Sequence, residues 1–252
     1  MFAIVKYSLS EQLQKKGLYI ILALCILLLL LIPSGSTTIT IAGEPVTGFR
    51  MMFPVLHTIT NALSCIFAAV ISCTTIPKEY ERRSSHLVWS RGISQRVYHG
   101  GLALSNIIAA CVPALLQYVI LGGYAALNGQ SAVIRMLCPA FLILAINVGV
   151  VSAFTSAVSI LLPGMPAGVI GVMLALLGIF HSLLETYTRV IGGVPSRLLN
   201  AVLRVIPNLY KIGVQAEHIM LGEKISIHVL LVGLFFVYVN TAFIFVLRKK
   251  EA

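Results

Sequence analysis

MLCPAFLILAINVGVVSAFTSAVSILLPGMPAGVIGVMLALLGIFHSLL, residues 136–184, contains no Asp, Glu, Lys or Arg. A membrane crossing needs about 20 mostly apolar residues, so this run is long enough for two. PGMP at 163–166 supplies the break between them, because Pro and Gly punctuate a helical pattern. Spans over 136–162 and 166–184 follow. Working outward, four further apolar runs occupy 17–32, 51–76, 100–127 and 225–247. The whole chain is 58% hydrophobic and 10% charged, with a mean hydropathy of +0.97, whereas a soluble domain carries about 25% charged residues. The expected fold class is an all-α integral membrane protein with six transmembrane helices, forming a single transmembrane domain over 1–252. The first run lacks a small-residue cleavage site and reads as a retained span, not a signal peptide.

The segments between the spans are informative in different ways. Residues 1–16 place Phe2, Val5, Leu9 and Leu13 on one helical stripe flanked by Lys6 and Lys16. This pattern predicts an amphipathic helix at the bilayer interface, its lysines reaching for headgroups. Residues 33–50 form a turn-rich loop whose β-branched TTITI suits a short hairpin. The segment 185–224 reads as an outer loop. Within it SRLLNAVLRVIP gathers Leu198, Leu199, Val202, Leu203 and Ile206 on one face, which predicts a short amphipathic outer helix between spans five and six. A re-entrant element is the other reading of that segment.

The net charge of +10 does not mark a nucleic-acid protein, since the bases are scattered among spans instead of lining one face. Eleven of the 18 Lys and Arg fall on the side of both termini and seven on the other. The positive-inside rule therefore places both termini in the cytoplasm, with the remaining bases meeting anionic membrane lipids. The five cysteines include no CxxC pair and lie in or beside apolar runs, so they read as small core residues and not as a disulfide framework or zinc site.

Charge is concentrated in one connection, IPKEYERRSSHLVWSRGISQRVYHGG at 76–101, which holds seven of the 26 charged residues. Pro77 and the residues after it suit the first turns of a helix, Glu79 and Arg83 stand at i, i+4, and Gly92 would end it. Trp89 and Tyr98 would sit at headgroup level. An ordinary solvated loop obeying the positive-inside rule has the same charge.

Motifs for chemistry within the chain are few. There is no GxxxxGK[ST], HExxH or GxSxG, so no nucleotide, metal or cofactor is expected to bind this chain. His181 and Glu185 have a metal-compatible i, i+4 spacing, and Phe53-Pro-Val-Leu-His57 in the second span invites an intramembrane-protease reading. Metal catalysis nevertheless needs three converging ligands and a base. No acid lies deep in a span, as ion-coupled transport commonly requires. Asn61, Asn106, Gln117, Asn147 and Asn240 are expected to bond across helices, with glycines at 100–101, 122–123, 168 and 171 permitting close packing.

The order of elements resembles the permease subunit of type-2 (ABC-2) exporters of the ABC transporter superfamily. The residues that carry the likeness are Glu79 and Glu81, Ser84-Ser85, Leu87-Val88-Trp89, the run Ser90-Arg91-Gly92-Ile93-Ser94-Gln95-Arg96, and Gly100-Gly101-Leu102. Gly92 departs from the family's Pro and Gly101 from its Lys. The resemblance implies that segment 78–96 is a cytoplasmic coupling helix docking on a separate ABC ATPase, with Glu79, Tyr80, Glu81, Arg82, Arg83 and His86 as coupling residues. Arg91 and Arg96 would hold headgroups or the N-terminal helix. It further implies ATP and Mg on the partner ATPase, a second permease copy or sister permease, and export of an amphiphilic peptide, lipid or drug across the cytoplasmic membrane. The path would be lined by the second and fifth spans. The rival readings are a polytopic metalloprotease-like enzyme using His57 and His181, and a membrane anchor or sensor that moves nothing.

Overall fold

The computed structural model describes residues 1–14, 48–82, 88, 90–191 and 193–247, together with eight isolated positions between 19 and 45. The expected first span at 17–32 and the basic tail from Arg248 lie outside the described residues. Among the described residues the regular structure is helical apart from a minimal antiparallel ladder, β1 (Thr40–Ile41) with β2 (Glu44–Pro45). The helices are α1 (Phe2–Leu13), α2 (Phe49–Cys73), α3 (Thr75–Glu81), α4 (Gln95–Leu127), α5 (Ser131–Arg135), α6 (Leu137–Leu161), α7 (Gly164–Ile179), α8 (His181–Ile191), α9 (Gly193–Val205), α10 (Leu209–Leu221) and α11 (Ile227–Val246).

Four of these are long and apolar enough to cross a membrane: α2 with its continuation α3, α4, α6 and α11. A fifth crossing results if α7 and α8, bent by 70° at the break between them, count as one broken span. Helix α7 alone has 16 residues, or about 24 Å at 1.5 Å per residue, short of the ~30 Å hydrocarbon core. The expected span 166–184 falls within this bent pair, whose straight first part stops at Ile179. The polar residues after Phe180 turn sideways, where His181 Nε2 bonds the Leu203 carbonyl at 2.9 Å and its Nδ1 faces Asn208 Nδ2 at 3.0 Å.

Helix α6 packs against α2, α4, α7, α10 and α11. Its Ser152, Thr155, Ser156 and Ser159 are fully buried beside Val148, Val150, Val151 and Ala153. Close approach depends on missing side chains at two places. A Cβ on Gly171 would collide with the Thr155 hydroxyl, and one on Gly213 would lie 2.6 Å from Asn61 Nδ2.

The segment 185–224 holds three helices where one was expected. Helices α8 and α9 form an antiparallel hairpin fastened by Thr188 donating to Asn200 Oδ1 at 3.0 Å and Ser196 donating to the Thr188 carbonyl at 2.7 Å. Its apolar residues Leu183, Val190, Val194, Leu198 and Val205 point outward. Helix α10 then begins inside the bundle. The Leu209 carbonyl accepts from Asn147 Nδ2 at 2.8 Å and from Asn61 Nδ2 at 3.4 Å, and both asparagines lie midway along their helices. A loop confined to one surface does not reach that depth, because a backbone carbonyl is drawn in only where buried donors await it.

Candidate functional site

The charged connection lies at the end of the bundle where α2 passes into α3. Helix α3 extends α2 after a single interruption at Thr74. Pro77 falls in its first turn, where a missing N–H costs nothing. Three of its side chains fasten it to neighbouring helices. Glu79 is 6% exposed and accepts from the Tyr98 hydroxyl at 2.5 Å. The Tyr80 hydroxyl accepts from Gln95 Nε2 at 2.7 Å and shares a hydrogen bond with His99 Nε2 at 2.6 Å. Tyr98, expected at headgroup level, is buried at the start of α4 and carries this contact. Arg82 reaches Glu11 Oε1 of α1 at 2.6 Å, and that hydrogen bond holds the guanidinium above its ordinary pKa.

Of the six expected coupling residues, Glu79 and Tyr80 thus point into the protein, Glu81 and Arg82 are exposed, and Arg83 and His86 lie outside the described residues, as does Trp89. Lys78 joins the outer face: Lys78, Glu81 and Arg82 stand at i, i+3 and i+4, the spacing of helical neighbours. Sequence reasoning passed over Lys78 because charge, and not facing, was the signal. Arg91 and Arg96 are both exposed. Gly92 adopts φ +77°, a conformation closed to proline, whose ring holds φ near −65°. The departure from the exporter pattern at this position has a backbone cause.

Helix α1 is bound to the same end by a face that takes in part of the expected stripe, buried Val5 and partly buried Leu9 and Leu13, together with the polar Ser8 and Gln12. Val5, Ser8 and Gln12 are buried, whereas Phe2 is 83% exposed. Gln12 Nε2 donates to Asn106 Oδ1 at 2.7 Å and lies within 3.3 Å of Thr75 and Ser105 hydroxyls. Ser105 in turn donates to Ser8 at 2.7 Å. Asn106 Nδ2 continues to Ser156 at 2.9 Å, and Ser72 meets Ser152 at 2.8 Å. One hydrogen-bonded layer therefore joins α1, α2, α4 and α6. Ser8 and Gln12 join Val5 on the buried face because each finds partners there, an unpaired polar group in an apolar interior costing several kcal/mol. Gln117 and Asn147 also bond across helices, to Ser64 at 2.9 Å and Asn61 at 2.9 Å.

The opposite end, near the α8–α9 hairpin, carries open clefts. One of about 630 Å³ is lined by Thr58, Phe180, Ser182, Tyr187 and Tyr210 among others. A second of about 560 Å³ shares Thr58 and Tyr210 and is walled by Pro54, Val214, Glu217 and His218. Glu217 is half-buried in the second cleft. Burial pushes its carboxyl above the usual carboxylate range, the Glu223 charge adds to this, and His218 opposes it.

The two histidines considered for metal chemistry are otherwise engaged. His57 Nε2 and the Tyr118 hydroxyl are 2.8 Å apart in the core, and His181 opens α8 with the partners already described. Glu185 pairs with Arg189 at 3.2 Å and Lys211 at 3.9 Å. Among the described residues, no group of three or more His, Cys, Asp or Glu is gathered to hold a metal. Compared with models of known protein families and with curated protein sequences, the chain matches none.

Proposed function

We propose that this chain is the permease subunit of a type-2 ABC exporter. The observation that supports this best is the fastening of α3. A short, charge-bearing helix continues a long apolar one and is bonded to α1 by Arg82–Glu11 and to α4 by Glu79–Tyr98 and Tyr80–His99. A push on its outer face, Lys78 and Glu81, is carried to α1, α2 and α4 as a rigid-body displacement. The partner that pushes is a cytoplasmic ABC ATPase, which supplies the ATP site this sequence lacks, and charge-assisted contacts suit such a docking face. Glu79 and Tyr80 serve the coupling from inside by holding α3 in place.

In this reading the chain crosses the cytoplasmic membrane six times, the first crossing being 17–32, with both termini and α3 in the cytoplasm. With α7 and α8 together forming the fifth crossing, the α9–α10 segment is re-entrant from the outer side, since α10 starts among mid-helix asparagines and an irregular backbone at that depth is tolerated where protein buries it. A second permease copy or a sister chain completes the transporter, and the cargo is an amphiphile.

The test is a pull-down in mild detergent of tagged wild type beside Glu81→Lys and beside Glu185→Lys on the hairpin. The expected result is a P-loop ATPase recovered with wild type and Glu185→Lys and lost with Glu81→Lys. Recovery of no ATPase with correctly folded wild type, or equal recovery with both variants, would contradict the proposal.

A further inference from the structure

Among the described residues, Glu217 is a half-buried carboxylate that forms no ion pair. Within the described residues it makes no hydrogen bond or ion pair, although basic side chains stand nearby on the same helix. His218 Nε2 is 3.3 Å from Glu223, and Lys211 Nζ is 3.9 Å from Glu185. Each nearby base thus has another acid. Tyr210, Val214 and Glu217 follow at i, i+4 and i+7 and form one face of α10 lining the cleft, while Ile212, Gln215 and Ala216 are buried on the other. The carboxylate is therefore aimed into the cleft by the helix that also plugs the bundle.

Beyond Tyr210 the first cleft is largely apolar, with Ile179, Phe180, Leu183 and Val190 in its walls. Each cleft falls in the range of ~300–1,000 Å³ typical of small-molecule sites. One end therefore offers a negative charge, the shared wall an aromatic face, and the far end apolar surface. An anion is repelled by Glu217, and a metal ion finds one carboxylate where several oxygens are needed.

We infer that the two clefts form one binding site for a single-chain cationic amphiphile, its ammonium headgroup against Glu217 and Tyr210 and its hydrocarbon chain along α8. Aromatic faces attract such cations, and the half-buried carboxylate strengthens the pairing because water screens it less. The inference rests on the permease reading only for what becomes of the ligand after binding.

Binding is tested on the full chain in maltoside micelles with no ATPase present, so its result stands apart from that of the pull-down. The probe is radiolabelled dodecyltrimethylammonium, with uptake by protein-free micelles subtracted. Saturable binding to wild type is expected, weakened roughly tenfold or more by Glu217→Gln and several-fold by Tyr210→Ala. Glu185→Gln should bind as wild type. On wild type alone, unlabelled dodecylammonium should displace the probe and dodecanoate should not, which keeps the test valid if a variant fails to fold. Equal binding by wild type and a folded Glu217→Gln, equal displacement by dodecanoate, or no saturable component would overturn the inference.

Discussion

The two ends of this bundle treat polar groups in opposite ways. At the α3 end Gln12, Ser72, Glu79, Ser105 and Asn106 are buried and joined across helices. At the hairpin end Thr58, Ser182, Tyr210 and Glu217 line clefts, and Glu217 stands half-buried without an ion pair. Hydrogen-bonded layers resist deformation, since separating them orphans several groups at once. Clefts with unspent polar groups are where a ligand adds more than it disturbs. Under the proposed function, force is transmitted at one end and ligand recognised at the other.

The largest expected effect comes from breaking the layer at its branch point. Asn106→Leu keeps the approximate volume but removes partners from both Gln12 and Ser156. It should destabilise the protein by about 2–4 kcal/mol, given about 1–3 kcal/mol for each buried group left unsatisfied, as read by denaturant titration in detergent. A loss below about 0.5 kcal/mol would mean the layer is not holding this end together. Next comes Tyr98→Phe, which deprives buried Glu79 of one donor. About 1.5–3 kcal/mol is expected for a hydrogen bond to a charged group, together with faster amide exchange in α3. Asn200→Leu at the hairpin should cost only about 1 kcal/mol, because Thr188 keeps its bond to the Glu185 carbonyl. Its exchange changes should stay within α8 and α9, and their appearance in α3 would break the separation between the ends. The smallest effect belongs to Arg82→Ala, whose solvent-exposed ion pair with Glu11 contributes little to stability. Any deficit should appear in ATPase recovery and not in the melting midpoint.

These differences also mark what a reader of the sequence alone could see. The apolar runs at 51–76, 100–127, 136–162 and 225–247 became helices at 49–73, 95–127, 137–161 and 227–246, because hydrophobic length is a local property. The facing of α1 was not local. Gln12 is buried by an asparagine 94 residues away, and no periodicity within residues 1–13 announces that partner. The same holds for Glu79, which as a charge within a charged segment gave no sign of its burial beside Tyr98. The break after Ile179 was hidden by continued hydrophobicity through Leu184; it follows from His181 finding partners on α9 and at Asn208. Glu217 was absorbed into a segment read as a surface loop. Its neighbours Ile212, Gly213 and Ala216 are buried, and a helix with one buried and one cleft-lining face was the available signal.

Site-specific photo-crosslinking tests the division between the ends most directly. A photoreactive amino acid is placed at Glu81 on α3 or at Tyr187 on the hairpin, in cells expressing the full chain. The account predicts an adduct with a P-loop ATPase from position 81 and none from position 187. An ATPase adduct from 187, or none from 81 in a folded and membrane-inserted protein, would contradict it.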